Sequence, residues 1–234
     1  MPAKAQQRSQ QQGTSNREPA TRNREQRTSK EESGTGASNK EPANEEPGTS
    51  NNKPMNIKKT NIDGLVIIEP RVFGDARGYF FESYNEADFH AAGINTRFVQ
   101  DNQSKSSYGV LRGLHLQRLP YAQAKLIRVL QGTIFDVAVD VRKKSPTYGE
   151  WFGIELSAEN NLQLLIPKGF AHGFSVLSET AVVFYKCDAL YHPESESGII
   201  YNDPALAIDW KLPSDKILVS EKDSRLGTLN DLEP

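Results

Sequence analysis

Cysteine is almost absent from this sequence: Cys187 is the only one in 234 residues. A lone thiol excludes a disulfide framework and a thiolate metal centre, and it fits a reducing compartment. An excess of charge of either sign is missing too, since 28 Lys and Arg against 30 Asp and Glu leave a formal net charge of −2. Nucleic-acid binding needs a clustered basic face, which this balance does not offer. No apolar run is long enough to span a bilayer, and the N-terminus lacks the apolar core of a signal peptide. The expectation is a cytoplasmic protein that engages neither membrane nor nucleic acid.

Residues 1–54 lack Val, Ile, Leu, Phe, Tyr and Trp altogether. Such a stretch cannot bury enough apolar area to offset its ordering entropy, so it reads as a disordered, low-complexity tail. Within it, Ser15-Asn16-Arg17-Glu18-Pro19-Ala20 returns as Ser38-Asn39-Lys40-Glu41-Pro42-Ala43. A tether or regulatory arm is the alternative, and no motif specifies it. Residues 55–234 form the expected folded part.

What is present beyond Met55 is a series of short β-branched and aromatic runs bounded by Gly, Pro, Asn and Asp. The pattern predicts strands over 65–69, 79–84, 98–103, 110–117, 125–130, 133–140, 151–156, 162–166, 173–177 and 181–187. One helix is predicted over 86–92, with Asn85 as its cap and Gly93 after it. Many short strands with few helices imply an all-β domain, a sandwich or barrel. A doubly wound nucleotide fold would need helices for which the spacing leaves no room.

Four histidines are available for chemistry: His90, His115, His172 and His192. His90 falls on the predicted helix and reads as a surface residue, and His192 precedes Pro193 in a turn. His115 and His172 each sit in a glycine-flanked stretch, where a strand end can approach a ligand closely. Period-2 alternation places Phe80, Glu82 and Tyr84 on one face, and Phe98, Gln100 and Asn102 on another. Polar residues sharing a face with aromatics fit a lined pocket as well as a wetted outer face. Strict alternation would separate Arg112 from His115, and Gly113 between them permits a bulge that returns both to one pocket. A metal reading takes two histidines and a Gln or Glu on a small β-barrel as ligands for iron, zinc or manganese, and one strand offers His115-Leu116-Gln117. Gln117 stands where a second strand histidine would be expected, and an amide is a weak donor. Walker-type phosphate loops are absent, so a bound nucleotide would rest on cations and aromatic stacking.

Several segments together resemble the dTDP-4-dehydrorhamnose 3,5-epimerase family of the cupin superfamily, over Met55 to Asp223. They are Glu69-Pro70-Arg71-Val72-Phe73-Gly74-Asp75, Arg77-Gly78-Tyr79-Phe80, Phe98-Val99-Gln100-Asp101-Asn102, Gly109-Val110-Leu111-Arg112-Gly113-Leu114-His115 and Phe135-Asp136-Val137-Ala138-Val139-Asp140. Pro167 to Phe174, Tyr191-His192-Pro193-Glu194 and Ser220-Glu221-Lys222-Asp223 complete them. The resemblance implies a cupin-type jelly roll with a few short helices, a homodimer, and neither metal nor organic cofactor. It implies as substrate dTDP-4-dehydro-6-deoxy-D-glucose, inverted at C3 and C5 on the route to dTDP-L-rhamnose. Residue by residue, it implies His115 as general base, Asp223 as its paired carboxylate, Tyr185 as general acid and Lys125 beside the sugar O4. Arg77, Phe80, Glu82, Gln100, Asp101, Asn102, Arg112, His172, Glu196 and Lys222 match substrate contacts, and Tyr191 the aromatic that stacks on thymine. Lys168, where glutamate is common, and Leu116, where an aromatic is common, depart from the pattern without replacing a functional position.

The chemistry agrees with that assignment. A proton next to a ketone is acidic because its carbanion delocalises onto oxygen, and histidine is a base of suitable strength. A cation such as Lys125 offsets charge developing on O4, and guanidinium groups bind a diphosphate in bidentate fashion. Alternatives within the fold are an epimerase acting at C3 or C5 alone and a ketoisomerase. A cupin that binds a sugar nucleotide without turnover is the alternative from another class.

Overall fold

The computed structural model describes residues 54–232. The tail expected over 1–54 lies outside the described residues except for Pro54. Thirteen strands, one short α-helix and four 3-10 turns follow one another among the described residues. Strands β1 (Met55–Lys59), β2 (Val66–Pro70), β10 (Gln163–Ile166), β7 (Lys125–Gln131), β12 (Thr180–Cys187) and β5 (Gln100–Ser107) form a six-stranded sheet in the order β1-β2-β10-β7-β12-β5. Strands β13 (Glu196–Gly198), β6 (Leu111–Gln117), β11 (Phe170–Val176), β8 (Thr133–Asp140) and β9 (Trp151–Ser157) form a five-stranded sheet in the order β13-β6-β11-β8-β9. A separate hairpin pairs β3 (Phe73–Asp75) with β4 (Gly78–Phe80). Every strand pairing is antiparallel, and consecutive strands β7 and β8 belong to different sheets, as in a jelly roll.

Three apolar layers follow from side-chain alternation. Ile127, Val129, Val183, Ile134, Ala138 and Phe174 pack between the two sheets. The intervening residues of β8, Phe135, Val137 and Val139, point the other way and are covered by Trp210, Leu206 and Leu229 of the C-terminal segment. Thus β8 reads as a continuous apolar run because both its faces are buried. Helix α1 (Glu86–Ala91) seals the far side of the six-stranded sheet by setting Phe89 against Ile68, Leu126 and Leu165. Asn85 caps it by accepting from the N–H groups of Ala87 and Asp88.

Several sequence expectations change. The strand expected over 98–103 runs Gln100–Ser107, and Phe98 packs against the cluster of Phe89 and Leu126, away from the inner face that carries Gln100 and Asn102. The strand expected over 79–84 ends at Phe80, so Phe80, Glu82 and Tyr84 do not share a sheet face. Tyr84 turns inward against Phe89 and Phe98, with ring centroids 4.9 and 5.4 Å away, and Glu82 accepts from the Asn85 side chain. The short strands β1, β3 and β13 carry no alternating run long enough to announce them.

The loop after β8 is organised by one carboxylate. Asp140 has a fully buried side chain and accepts from the Arg142 N–H, the Arg142 guanidinium, Ser145 Oγ and Thr147 Oγ1. Burial pushes its pKa up, but these donors outweigh burial and hold the carboxyl well below the usual carboxylate range. A depressed folded value stabilises the fold above the unfolded carboxylate pKa, about 4, and that contribution drains as pH falls below it. Asp140→Ala is expected to lower unfolding free energy by about 2–3 kcal/mol at neutral pH. Urea denaturation of both proteins should show that gap narrowing below about pH 4; a gap independent of pH would contradict the account.

Candidate active site

The site begins with an irregularity in β6. In the pairing of β6 with β11, His115 faces His172 and Arg112 faces Phe174, so Gly113 and Leu114 together oppose Gly173 alone. This is the bulge anticipated at Gly113. Only glycine fits there: its φ is +112°, and a Cβ would lie 2.6 Å from both Gly173 Cα and the His172 carbonyl oxygen. The bulge turns Arg112 so that its Nε donates to Ser106 of β5, on the face that also carries Gln100 and Asn102. His115 faces into a cavity of about 200 Å3 between the sheets, lined also by Gln100, Asn102, Lys125, Tyr185, Tyr191 and Glu196.

Asp223 lies behind His115. The C-terminal segment runs beside the start of β6 through bonds from Leu111 N–H to the Leu218 carbonyl and from Leu218 N–H to the Gly109 carbonyl. It then enters a 3-10 turn, Asp223–Arg225, whose first N–H donates to Ser220 Oγ. Asp223 is thereby buried with Oδ1 2.8 Å from His115 Nε2 and Oδ2 accepting the Gly113 N–H at 3.2 Å. Engaging Nε2 leaves Nδ1 of His115 as the ring nitrogen without a protein partner among the described residues.

Across the cavity, the six-stranded sheet supplies Tyr185, Lys125, Asn102 and Gln100. In register, Tyr185 pairs with Asn102, and Cys187 with both Gln100 and Lys125, so all of them share the inner face. Burial raises the pKa of Tyr185, with the Cys187 thiol adding to it, so the phenol keeps its proton. Burial lowers the pKa of Lys125, opposed by the charges of Asp136 and Glu196. His172 on β11 is buried, with Nε2 2.8 Å from Asp136 Oδ1; burial lowers its pKa against the pull of Asp136, favouring neutral imidazole.

At the mouth, Tyr191 Oη donates to Glu196 at 2.6 Å, Lys222 Nζ lies 2.6 Å from the same carboxylate, and the Tyr191 N–H donates to Gln100 Oε1. Burial pushes the Glu196 pKa up, but the bonds from Lys222 and Tyr191 bring it below the ordinary value. Gln117 is buried, and its amide is used up: Nε2 donates to the carbonyls of Tyr121 and Leu190, and Oε1 accepts the His192 N–H. Gln117 is therefore a loop clamp, which removes the amide from the metal reading. No cluster of three His, Cys, Asp or Glu able to hold a metal ion occurs among the described residues.

Of the residues matched to substrate contacts, Arg112, His172 and Lys222 lie beside this cavity without lining it, and Asp101, Arg77, Phe80 and Glu82 lie away from it. Asp101 falls on the outer face of β5, one residue out of phase with Gln100 and Asn102, and pairs with Lys186 at 2.9 Å. Arg77, Phe80 and Glu82 belong to the β3–β4 hairpin and the loop after it. Arg77 is held by Asp75, and Phe80 is 69% exposed. Two residues escaped the sequence reading. Gln123 lines the cavity from the loop before β7. Asp136 was hidden inside an apolar run, where only its strand period marks it as facing inward.

The family profile for dTDP-4-dehydrorhamnose 3,5-epimerase matches residues 59–231. The dTDP-4-dehydrorhamnose 3,5-epimerase of Methanothermobacter thermautotrophicus is 58% identical over 166 residues, covering 70% of this chain and 89% of its own. The Escherichia coli enzyme of the same name is 56% identical over 179 residues, covering 76% and 96%. The crystal structure of dTDP-6-deoxy-D-glucose-3,5-epimerase from Legionella pneumophila, in complex with dTDP-4-keto-L-rhamnose, superposes with a TM-score of 0.74. Its sequence is 54% identical, covering 76% of this chain and 95% of that one. A match of that length, over a cupin-type jelly roll, shows that this chain belongs to the dTDP-4-dehydrorhamnose 3,5-epimerase family.

Proposed function

We propose that this chain is an isomerase that inverts C3 and C5 of dTDP-4-dehydro-6-deoxy-D-glucose, giving dTDP-4-dehydro-L-rhamnose in dTDP-L-rhamnose biosynthesis. The observation that carries the reading is His115, braced by Asp223 at 2.8 Å, facing the half-buried phenol of Tyr185 across one cavity. Both carbons flank the C4 ketone, so one kind of step serves each. His115 removes the proton, and the electron pair moves onto O4 as an enolate. The Lys125 ammonium offsets that charge. Tyr185 then delivers a proton to the opposite face of the same carbon, and the carbonyl re-forms. Only protons are exchanged, so this reading calls for no redox group or metal. Asp223 fixes the His115 tautomer and stabilises the imidazolium. A pure binder would need no base set opposite an acid, which favours turnover over binding alone.

Gln100, Asn102, His172 and Glu196 would meet the sugar, Arg112 and Lys222 the diphosphate, and Tyr191 the thymine. Incubation with this substrate in heavy water should place deuterium at both C3 and C5. Exchange at one carbon alone would assign a single-site epimerase. His115→Ala should abolish exchange at both. Tyr185→Phe should lower epimerised product by about 100-fold or more while exchange with retained configuration persists. Survival of exchange in His115→Ala would overturn the base assignment.

The working unit in this reading is a homodimer. The β3–β4 hairpin exposes Phe73, Tyr79 and Phe80 together, and Arg77, Phe80 and Glu82 lie off the chain's own cavity. A twofold pair would let each hairpin cover its neighbour's site. Subunit exchange between Arg77→Ala and His115→Ala proteins is expected to restore activity to about one quarter of wild type, because half the dimers regain one intact site. No recovery would place Arg77 in the site of its own chain.

Residues 55–234 form the epimerase domain in this reading, with 1–54 a solvated tail outside the chemistry, in a cytoplasmic protein. No helix among the described residues is long and apolar enough to cross a membrane. A protein starting at Met55 should exchange deuterium at the full-length rate, and a slower rate would give the tail a part in catalysis.

A further inference from the structure

Beside the His115–Asp223 pair lies a second histidine–carboxylate pair, His172 and Asp136, whose carboxylate the proposed reaction leaves unemployed. His115 and His172 are direct cross-strand partners on β6 and β11. On β8, Asp136 is two residues from Ala138, the partner of His172. The three side chains therefore follow one another across the inner face of the five-stranded sheet. Asp136 has no exposed surface; Oδ1 is taken by His172 Nε2, and Oδ2 has no hydrogen-bond partner. Such an oxygen costs free energy in a dry interior unless a nearby cation balances it. Lys125, from the opposite sheet, is the cation on whose charge Asp136 acts, and its ammonium makes no hydrogen bond or ion pair among the described residues.

We propose that Asp136 is a positioning residue, the fixed counter-charge that keeps Lys125 an ammonium ion and directs it into the cavity. Its one bonded oxygen is anchored by neutral His172, which adds no competing positive charge. Its other oxygen is left to the lysine field. The surroundings of Lys125 make this charge decisive. Cys187 and Tyr185 face it from β12, His115 from β6, His172 from β11 and Glu196 from β13. Burial keeps the Cys187 thiol and the Tyr185 phenol protonated. Glu196 is already bonded to Lys222 and Tyr191. Asp136 is then the carboxylate near Lys125 that no cation pairs. The inference rests on the proposed epimerase reading for what the ammonium does, and, for what holds it charged, on the unpartnered Asp136 oxygen together with the pull of that carboxylate on Lys125.

Two readouts separate those levels. In protein labelled at lysine Cε with carbon-13, the Lys125 signal, identified by its loss in Lys125→Met, is expected to titrate about one pH unit lower in Asp136→Asn than in wild type. In turnover, Asp136→Asn should move the alkaline limb of kcat to lower pH by a similar amount. Midway between the two limbs kcat should fall about threefold, approaching about tenfold above both, with KM nearly unchanged. In a Lys125→Arg background, whose guanidinium stays charged, Asp136→Asn should leave the limb where it is. Thermal unfolding and dTDP binding report whether the variant is folded. If Asp136→Asn misfolds, Asp136→Glu, which keeps the charge, should titrate Lys125 near its wild-type midpoint. An unmoved Lys125 midpoint in folded Asp136→Asn, or a lowered one in Asp136→Glu, overturns the proposal. A moved midpoint in a protein that fails to exchange deuterium overturns the epimerase reading instead.

Discussion

The arrangement depends on one buried carboxylate bonded in two directions. Asp223 accepts the peptide N–H of Gly113 through one oxygen and the His115 ring through the other. The first bond satisfies the N–H freed where β6 departs from regular pairing. The second orients the imidazole that the departure turned toward the cavity. Backbone irregularity and candidate base are thus fixed by the same side chain, and neither could be arranged independently. Asp223 in turn holds its place because Leu218 is hydrogen-bonded beside the start of β6 and Ser220 accepts the Asp223 N–H. A C-terminal segment with little regular structure is therefore as much a part of the site as the strands.

The two sheets divide the electrostatic work. The five-stranded sheet carries both imidazoles with a carboxylate behind each, while the six-stranded sheet carries a half-buried lysine and a phenol whose partial burial favours the protonated form. Bringing these faces together over an apolar layer of Ile127, Val129, Ile134 and Phe174 places a proton acceptor opposite a proton donor at low effective dielectric. Charges at such positions act more strongly than in water, which is the condition an enolate needs.

Much of this was legible in the residues. The bounds of β8 and the cap of α1 follow from composition, because each obeys a local rule that packing does not override. Gly113 signalled a bulge, since strict alternation would have split Arg112 from His115. What local rules could not supply was set by long-range pairing. Asp101 shares a motif with Gln100 and Asn102, yet the period of two sends it outward to Lys186. Asp136 was masked by the apolar run around it, a run that exists because the C-terminal segment covers the other face of β8. The hairpin carrying Arg77 and Phe80 reads as strand over six residues and pairs over three, because it has only itself to pair with.

The contacts at the mouth of the cavity have a thermodynamic corollary. Glu196 holds both the Lys222 ammonium and the Tyr191 hydroxyl, so Lys222 is a neutralised cation at the cavity mouth. An anion arriving at Lys222 replaces a partner instead of acquiring an unopposed one, and its gain is the difference between two ion pairs. A singly charged visitor comes close to breaking even in that exchange, whereas a group bearing two or more charges does not. Selectivity for polyanionic ligands can then arise before any group on the sugar is sensed, from a carboxylate that the ligand itself must displace.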